Sequence, residues 1–141
     1  SEQGRVRGLQ TCTTHFVQYA GLAGLTGPQS ESQAILDVLR ERRDACVDGV
    51  NAIPGMHAAR PESTFYLFVN VTGAMKSKGM TDVAAFATAA LHETGVSFCT
   101  RRHFGRPQPG EVEQYIRLAY SGIATADIRE ALQRLRDWMS A

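Results

Sequence analysis

The sequence predicts an α/β domain of the α+β kind, a three-stranded sheet with helices packed on it in two layers. Three observations predict it. Residues 65–71 and 115–121 are short runs rich in aromatic and branched side chains, the composition of strands, and residues 96–100 form a weaker third. Longer segments with apolar residues at helical spacing lie before, between and after these runs. The 141 residues suffice for one such domain, or for a domain with an appendage, and contain no internal repeat or low-complexity segment.

Residues 1–10 are polar, carry Arg5 and Arg7, and are expected to be loosely ordered. Thr13 or Thr14 can cap a first helix whose apolar positions include Phe16, Val17, Ala20 and Ala23. Gly21 and Gly24 keep parts of it thin. Gly27-Pro28 closes that helix and opens a second, over 28–51, with Ile35, Val38, Leu39, Cys46, Gly49, Val50 and Ile53 on one stripe. Arg40, Glu41, Arg43, Asp44 and Asp48 form its solvated face, and Pro54-Gly55 ends it. The first helix, set apart by Gly27-Pro28, is expected to lie outside the core.

The nearly continuous apolar run at 65–71 predicts a strand covered on both faces. Residues 72–80, with two glycines, two lysines and a serine, predict a surface loop. Thr81 is the expected cap of a third helix with Val83, Phe86, Ala87, Ala90 and Leu91 inward, and Gly95 its stop. After the strand at 96–100, residues 101–113 make a long connection containing Gly and Pro. Thr125 is the expected cap of a last helix, buried through Ile128, Ala131, Leu132, Leu135, Trp138 and Met139.

Fifteen Lys and Arg against 14 Asp and Glu give a formal charge of +1, no electrostatic basis for nucleic acid or an acidic membrane as partner. Lys76 and Lys78 are the only lysines, so chemistry needing an amine has two candidates. Cys12, Cys46 and Cys99 are few, odd in number and far apart; reduced cysteines of a cytoplasmic protein fit better than disulfides or a metal knuckle. His15, His57, His92 and His103 show no metal-ligand spacing, and structural or surface roles are expected for all four. No nucleophile elbow, P-loop or dinucleotide fingerprint is present. Neither a bilayer-length apolar run nor a signal-peptide pattern occurs. A first residue Ser1 in place of methionine points to a fragment or a processed product.

The most informative stretch is Tyr115-Ile116-Arg117-Leu118-Ala119-Tyr120-Ser121. Side chains alternate along a strand, so Ile116, Leu118 and Tyr120 face the core. Tyr115, Arg117, Ala119 and Ser121 make a half-polar wall with one fixed positive charge. Two readings of Arg117 stand here. It is either solvent-facing or salt-bridged, with Glu111 and Glu113 the nearest partners, or it is held ready for an anion. A guanidinium offers two parallel donors that match a carboxylate. A buried one without a counter-charge costs roughly several kcal/mol.

Phe104-Gly105, followed after a loop by residues 115–121, resembles the end of the class I/II aminotransferases, the pyridoxal-phosphate enzymes related to aspartate aminotransferase. Three other stretches agree, in the same order. Thr11-Cys12-Thr13-Thr14-His15-Phe16-Val17-Gln18 with Leu25-Thr26-Gly27-Pro28 is similar to the family's approach to its small domain. Arg42-Arg43-Asp44 with Asn51-Ala52-Ile53-Pro54-Gly55 resembles the long connecting helix and its exit. Pro61 with Phe65-Tyr66-Leu67-Phe68 resembles the first small-domain strand. The likeness runs from about Thr11 to the C-terminus. Departures from the pattern are Arg101-Arg102-His103 where a Gly is frequent, Ser63 where a Gly is common, and an extended loop over 106–113.

The resemblance implies that residues 1–27 are a remnant of a large cofactor-binding domain, contributing the N-terminal helix, and that 28–141 are the C-terminal small domain. It implies that Arg117 binds the α-carboxylate of amino-acid and 2-oxo-acid substrates, with Tyr66, Arg101 and Arg102 as further substrate contacts. Arg101 and Arg102, where the chain departs from the family pattern, are either two solvated arginines or include one that reads a second, side-chain carboxylate. The family's cofactor lysine and phosphate cradle precede the segment matched by residues 11–18. Pyridoxal 5'-phosphate is therefore expected in the full-length parent, a cytoplasmic homodimer, and not on this fragment. No catalytic, cofactor-binding or metal-binding residue is expected within the chain, and the fragment alone is expected to be inactive. The alternatives are a stand-alone, non-catalytic module that binds a carboxylate or another subunit, and the same domain from a related pyridoxal-phosphate lyase or synthase.

Overall fold

The computed structural model describes residues 13–105 and 108–141; the expectations for residues 1–10 and for Cys12 lie outside them. Among the described residues five helices and three strands follow in the order α1 (His15–Thr26), α2 (Ser30–Asn51), β1 (Tyr66–Asn70), α3 (Thr72–Ser77), α4 (Val83–Thr94), β2 (Cys99–Thr100), β3 (Tyr115–Ala119) and α5 (Thr125–Ser140), with a 3-10 turn at Arg101–Phe104. The chain divides into two units between Ile35 and Leu36. No helix among the described residues is long and apolar enough to cross a membrane.

In the first unit, α1 buries none of its residues, and Phe16, Tyr19, Leu22 and Leu25 are all exposed. Thr14 occupies the cap position but its side chain makes no capping bond. Polar contacts at the helix ends come from Gln18, whose Nε2 donates to Thr13 O at 2.7 Å, and Gln29, whose Nε2 donates to Gly24 O and Gly27 O at 2.9 Å.

The second unit is the predicted two-layer α+β domain. Its sheet is antiparallel with strand order β1-β3-β2, which makes β3 central. β1 pairs with β3 through Leu67–Leu118, Phe68–Arg117 and Val69–Ile116, and β2 pairs with β3 through Cys99–Arg117 and Thr100–Ile116. Leu67, Val69, Ile116 and Tyr120 are buried on one side of the sheet, in a core with Cys46, Val47 and Val50 of α2, Phe86 of α4, and Ile128, Leu132 and Leu135 of α5. Each fully buried aliphatic or Phe side chain contributes about 1.5–3 kcal/mol against exposure. Tyr120 also donates from its hydroxyl to Thr64 O at 3.0 Å, satisfying the polar end of a fully buried ring.

Several local expectations are corrected. The strand at 65–71 is covered on one face only: Leu67 and Val69 are buried, whereas Phe68 between them is exposed. An aromatic run reads as core from composition, but here it supplies the wall of a groove. The loop expected at 72–80 contains α3, because burial of Val71, Ala74 and Met75 outweighs a loop-like composition. The cap of α4 is Asp82, not Thr81; its carboxylate accepts from the Ala84 and Ala85 N–H groups at 3.3 and 3.2 Å. The α5 cap position falls on Ala124, one residue before Thr125. The strand at 96–100 shrinks to Cys99–Thr100, the Val96 N–H being turned to Thr94 Oγ1 at 3.2 Å. On α2, Ile35 and Val38 are exposed, and the buried stripe begins only toward its C-terminal half. Leu91 of α4 is exposed as well.

Cys46 is 4 % exposed, and burial pushes its thiol up to about 11. The thiolate is the reactive form. Alkylation of the native protein with iodoacetamide at about pH 8 is therefore expected to spare Cys46 and to label the half-buried Cys99, with both labelled in denaturant. Peptide mass spectrometry reads the result; full labelling of native Cys46 would contradict the packing described.

Candidate functional site

The register of the central strand builds the site. Arg117 stands between Phe68 on β1 and Cys99 on β2, on the sheet face turned away from the core. Its guanidinium carbon lies 4.0 Å from the centre of the Tyr66 ring and 4.5 Å from that of Phe104. One Nη2 donor approaches Cys99 Sγ at 3.8 Å, a weak contact. Phe68 stacks on Tyr115 at 4.7 Å with planes 6° apart and meets Phe104 edge-on at 6.4 Å. The cation is thus set into an aromatic wall, which restrains it through its π faces and leaves its in-plane donors available.

The carboxylates that could neutralise it are engaged elsewhere. Glu111 takes both oxygens to Arg101, at 2.8 and 3.3 Å. Glu113 accepts a hydrogen bond from the Tyr115 hydroxyl and, with some desolvation, holds the Tyr115 pKa above its ordinary value. Among the described residues no carboxylate forms an ion pair with Arg117.

Arg117, Tyr66, Phe68 and Tyr115 line an open cavity of about 660 Å³, to which Asn70 and Glu113 add polar atoms. A cavity of about 720 Å³ lies along α5, lined by Tyr120, Ile123, Ile128 and Arg134 among others. The smaller one is the candidate site, because it joins a cation with no ion-pair partner among the described residues to a shaped aromatic surface. Among the described residues no group of three His, Cys, Asp or Glu side chains could hold a metal ion.

Of the residues singled out in the sequence, Tyr66 and Arg117 are brought together. Arg101 and Arg102 line a separate hollow of about 230 Å³ with Asp82 and Glu111. Arg101 forms the half-buried fork with Glu111, whereas Arg102 makes a single, exposed bond to Asp82 at 2.8 Å. His103 turns its Nδ1 back to Thr100, closing a capping box on the 3-10 turn. Lys76 is exposed on α3, and Lys78 places its ammonium 5.1 Å from the Trp138 ring; neither lines the Arg117 cavity. Phe68, Phe104 and Tyr115 complete the wall. Strand alternation already put Tyr115 beside Arg117, but Phe68 becomes visible only once the pairing of β1 with β3 is known.

The model of the family "Aminotransferase class I and II" matches residues 4–135. An asparagine–oxo-acid transaminase of Streptococcus mutans is 36 % identical over 126 residues, 89 % of this chain and 30 % of that protein. An LL-diaminopimelate aminotransferase of Moorella thermoacetica is 38 % identical over 120 residues, 85 % of this chain and 28 % of that protein. In fold, the chain is similar to the aspartate aminotransferase of Rhizobium meliloti, with a TM-score of 0.75 at 24 % identity, over 95 % of this chain and 33 % of that one. The chain spans about 30 % of the length of the curated relatives it matches. The collinear resemblance read from the four sequence motifs is borne out, and this chain belongs to the class I and II aminotransferase family.

Proposed function

We propose that this chain is the C-terminal portion of a pyridoxal-phosphate-dependent aminotransferase, with residues 1–27 a remnant of the large domain and 28–141 the small domain. In the intact enzyme Arg117 binds the α-carboxylate shared by an amino-acid donor and a 2-oxo-acid acceptor. The observation that carries this reading is the Arg117 guanidinium, stacked on Tyr66 and Phe104 without a carboxylate partner among the described residues. A carboxylate in the plane of that fork gains two charge-assisted hydrogen bonds and is fixed in orientation, as the family's chemistry at the adjacent carbon requires.

The residues of this chain do not by themselves fit the cofactor. The Arg117 cavity contains no lysine, and Lys76 and Lys78 lie elsewhere. The cofactor's attachment accordingly belongs to a part of the enzyme outside this sequence, and this chain contributes substrate anchoring alone. Incubating the 141-residue chain with pyridoxal phosphate, an amino acid and 2-oxoglutarate is expected to give no amino-group exchange and no stoichiometric borohydride-fixed adduct. Turnover accompanied by such an adduct on Lys76 or Lys78 would overturn this division of labour.

A further inference from the structure

We propose that the Arg101–Glu111 ion pair is a positioning clasp that lays Phe104 over Arg117, so that two residues outside the carboxylate site set its affinity. The inference rests on the carboxylate reading of Arg117 given above. Arg101 donates from Nε and Nη2 to the two Glu111 oxygens at 2.8 and 3.3 Å, a fork-to-fork pair. Its Nη1 donates to the carbonyls of Phe104 and Gly105 at 3.3 and 3.4 Å. The second Glu111 oxygen also accepts the Gln108 N–H at 2.8 Å. One side chain thereby ties the backbone at Phe104 to Glu111, further along the loop, with both charged groups largely shielded, 18 % and 19 % accessible. On the other side, Thr100 and His103 close the same turn.

The neighbouring Arg102–Asp82 pair marks the contrast. It is 65 % and 48 % accessible, makes one bond, and reaches neither the turn backbone nor a ring of the site. Such exposed pairs contribute little. The clasp differs because its forked geometry fixes a backbone segment. Glu111 is held in its ionised form, its carboxyl kept below the ordinary range by the Gln108 N–H and then by Arg101.

The consequence follows from what Phe104 does. Its ring centre lies 4.5 Å from the Arg117 guanidinium carbon, and the Tyr66 ring centre 4.0 Å from it. A guanidinium restrained by two rings loses less freedom when a carboxylate binds it. Opening the clasp releases Phe104 and returns that cost to the binding step. The expected loss is about three- to tenfold in carboxylate affinity, with Arg117 itself intact.

The test uses the chain labelled with nitrogen-15 arginine. The Arg117 Nε–H signal is assigned by its loss in Arg117→Lys, and sodium acetate is titrated at constant ionic strength. Glu111→Gln and Arg101→Lys are each expected to move the Arg117 signal toward its position in Phe104→Leu, and to weaken acetate binding by the same three- to tenfold. Arg101→Lys keeps the charge and loses the fork, so it carries the test if Glu111→Gln does not fold, with the Ile116 and Leu67 methyl signals as the folding control. An Arg117 signal and acetate affinity unchanged in both clasp variants, yet altered in Phe104→Leu, would overturn the clasp and leave the carboxylate reading standing. An acetate affinity unchanged in Arg117→Ala, read from the Leu67 and Ile116 methyl signals, would overturn the carboxylate reading and this inference together.

Discussion

Replacing Arg117 by alanine in the intact enzyme is expected to lower kcat/KM for amino-acid donors and for 2-oxo-acid acceptors by about 10²–10³-fold, the usual scale for truncating one partner of a desolvated, hydrogen-bonded charge pair. On the proposed role of Arg117 the loss should be similar in both half-reactions, since donor and acceptor share the α-carboxylate. Arg117→Lys keeps the charge but offers a point donor where the site has a planar fork, so an intermediate loss of roughly 10–100-fold is expected. An amine lacking the carboxylate supplies the decisive control. Its reactivity should be low but nearly equal in the native enzyme and in Arg117→Ala, since the group that the arginine reads is absent. Steady-state kinetics with paired amino acid and decarboxylated amine measure this directly. A fall of less than threefold for the amino acid, or an equal fall for the amine, would remove Arg117 from the carboxylate site. The change should leave the fold in place, because the side chain packs on the face away from the core, against two rings and a thiol.

The part of this site that was legible in the sequence is the part governed by alternation. One strand with Ile116 and Tyr120 on one side and Arg117 on the other needs no tertiary information, and both core residues are buried as that pattern requires. Collinear motifs supplied the family. What could not be read is what depends on a partner distant in sequence. Glu111 and Glu113 were the natural counter-charges for Arg117 by proximity, yet a turn returns Arg101 to Glu111, and Glu113 is taken by the Tyr115 hydroxyl. Phe68 looked like core because aromatic residues suit a buried strand and an aromatic wall equally well; antiparallel register decides between them. The helix at Thr72–Ser77 was hidden for a related reason. The two glycines and two lysines of residues 72–80 suggest a loop, whereas the burial of Ala74 and Met75 that orders the helix comes from elements elsewhere in the chain.

Gly55 illustrates how much such an approach can weigh. Sequence gave it a local task, ending α2 after Pro54, and its φ of +78° agrees with that. The structure adds a demand that no local pattern announces. A Cβ on Gly55 would sit 2.4 Å from the Ala74 nitrogen and 2.5 Å from the Gly73 carbonyl carbon, both backbone atoms that no rotamer change can move. The same approach lets Gly55 O accept the Ala74 N–H at 2.9 Å. Gly55→Ala is therefore expected to destabilise the chain by about 2–5 kcal/mol, roughly 1–2 from the left-handed conformation and about 1–3 from forcing the two segments apart. Gly79→Ala isolates the first contribution, since Gly79 has φ +66° and nothing within 4 Å of its would-be Cβ. Urea unfolding followed by circular dichroism should place Gly79→Ala near the lower end and Gly55→Ala at least 1 kcal/mol beyond it, roughly. Equal losses would show that the close approach to α3 costs nothing to open. The site is coupled to this contact, because Thr72 Oγ1 accepts the Gln114 N–H at 2.8 Å and the Val71 N–H donates to Gln114 O at 2.8 Å. Those bonds set where β3 begins, at Tyr115, just ahead of the arginine that the groove surrounds.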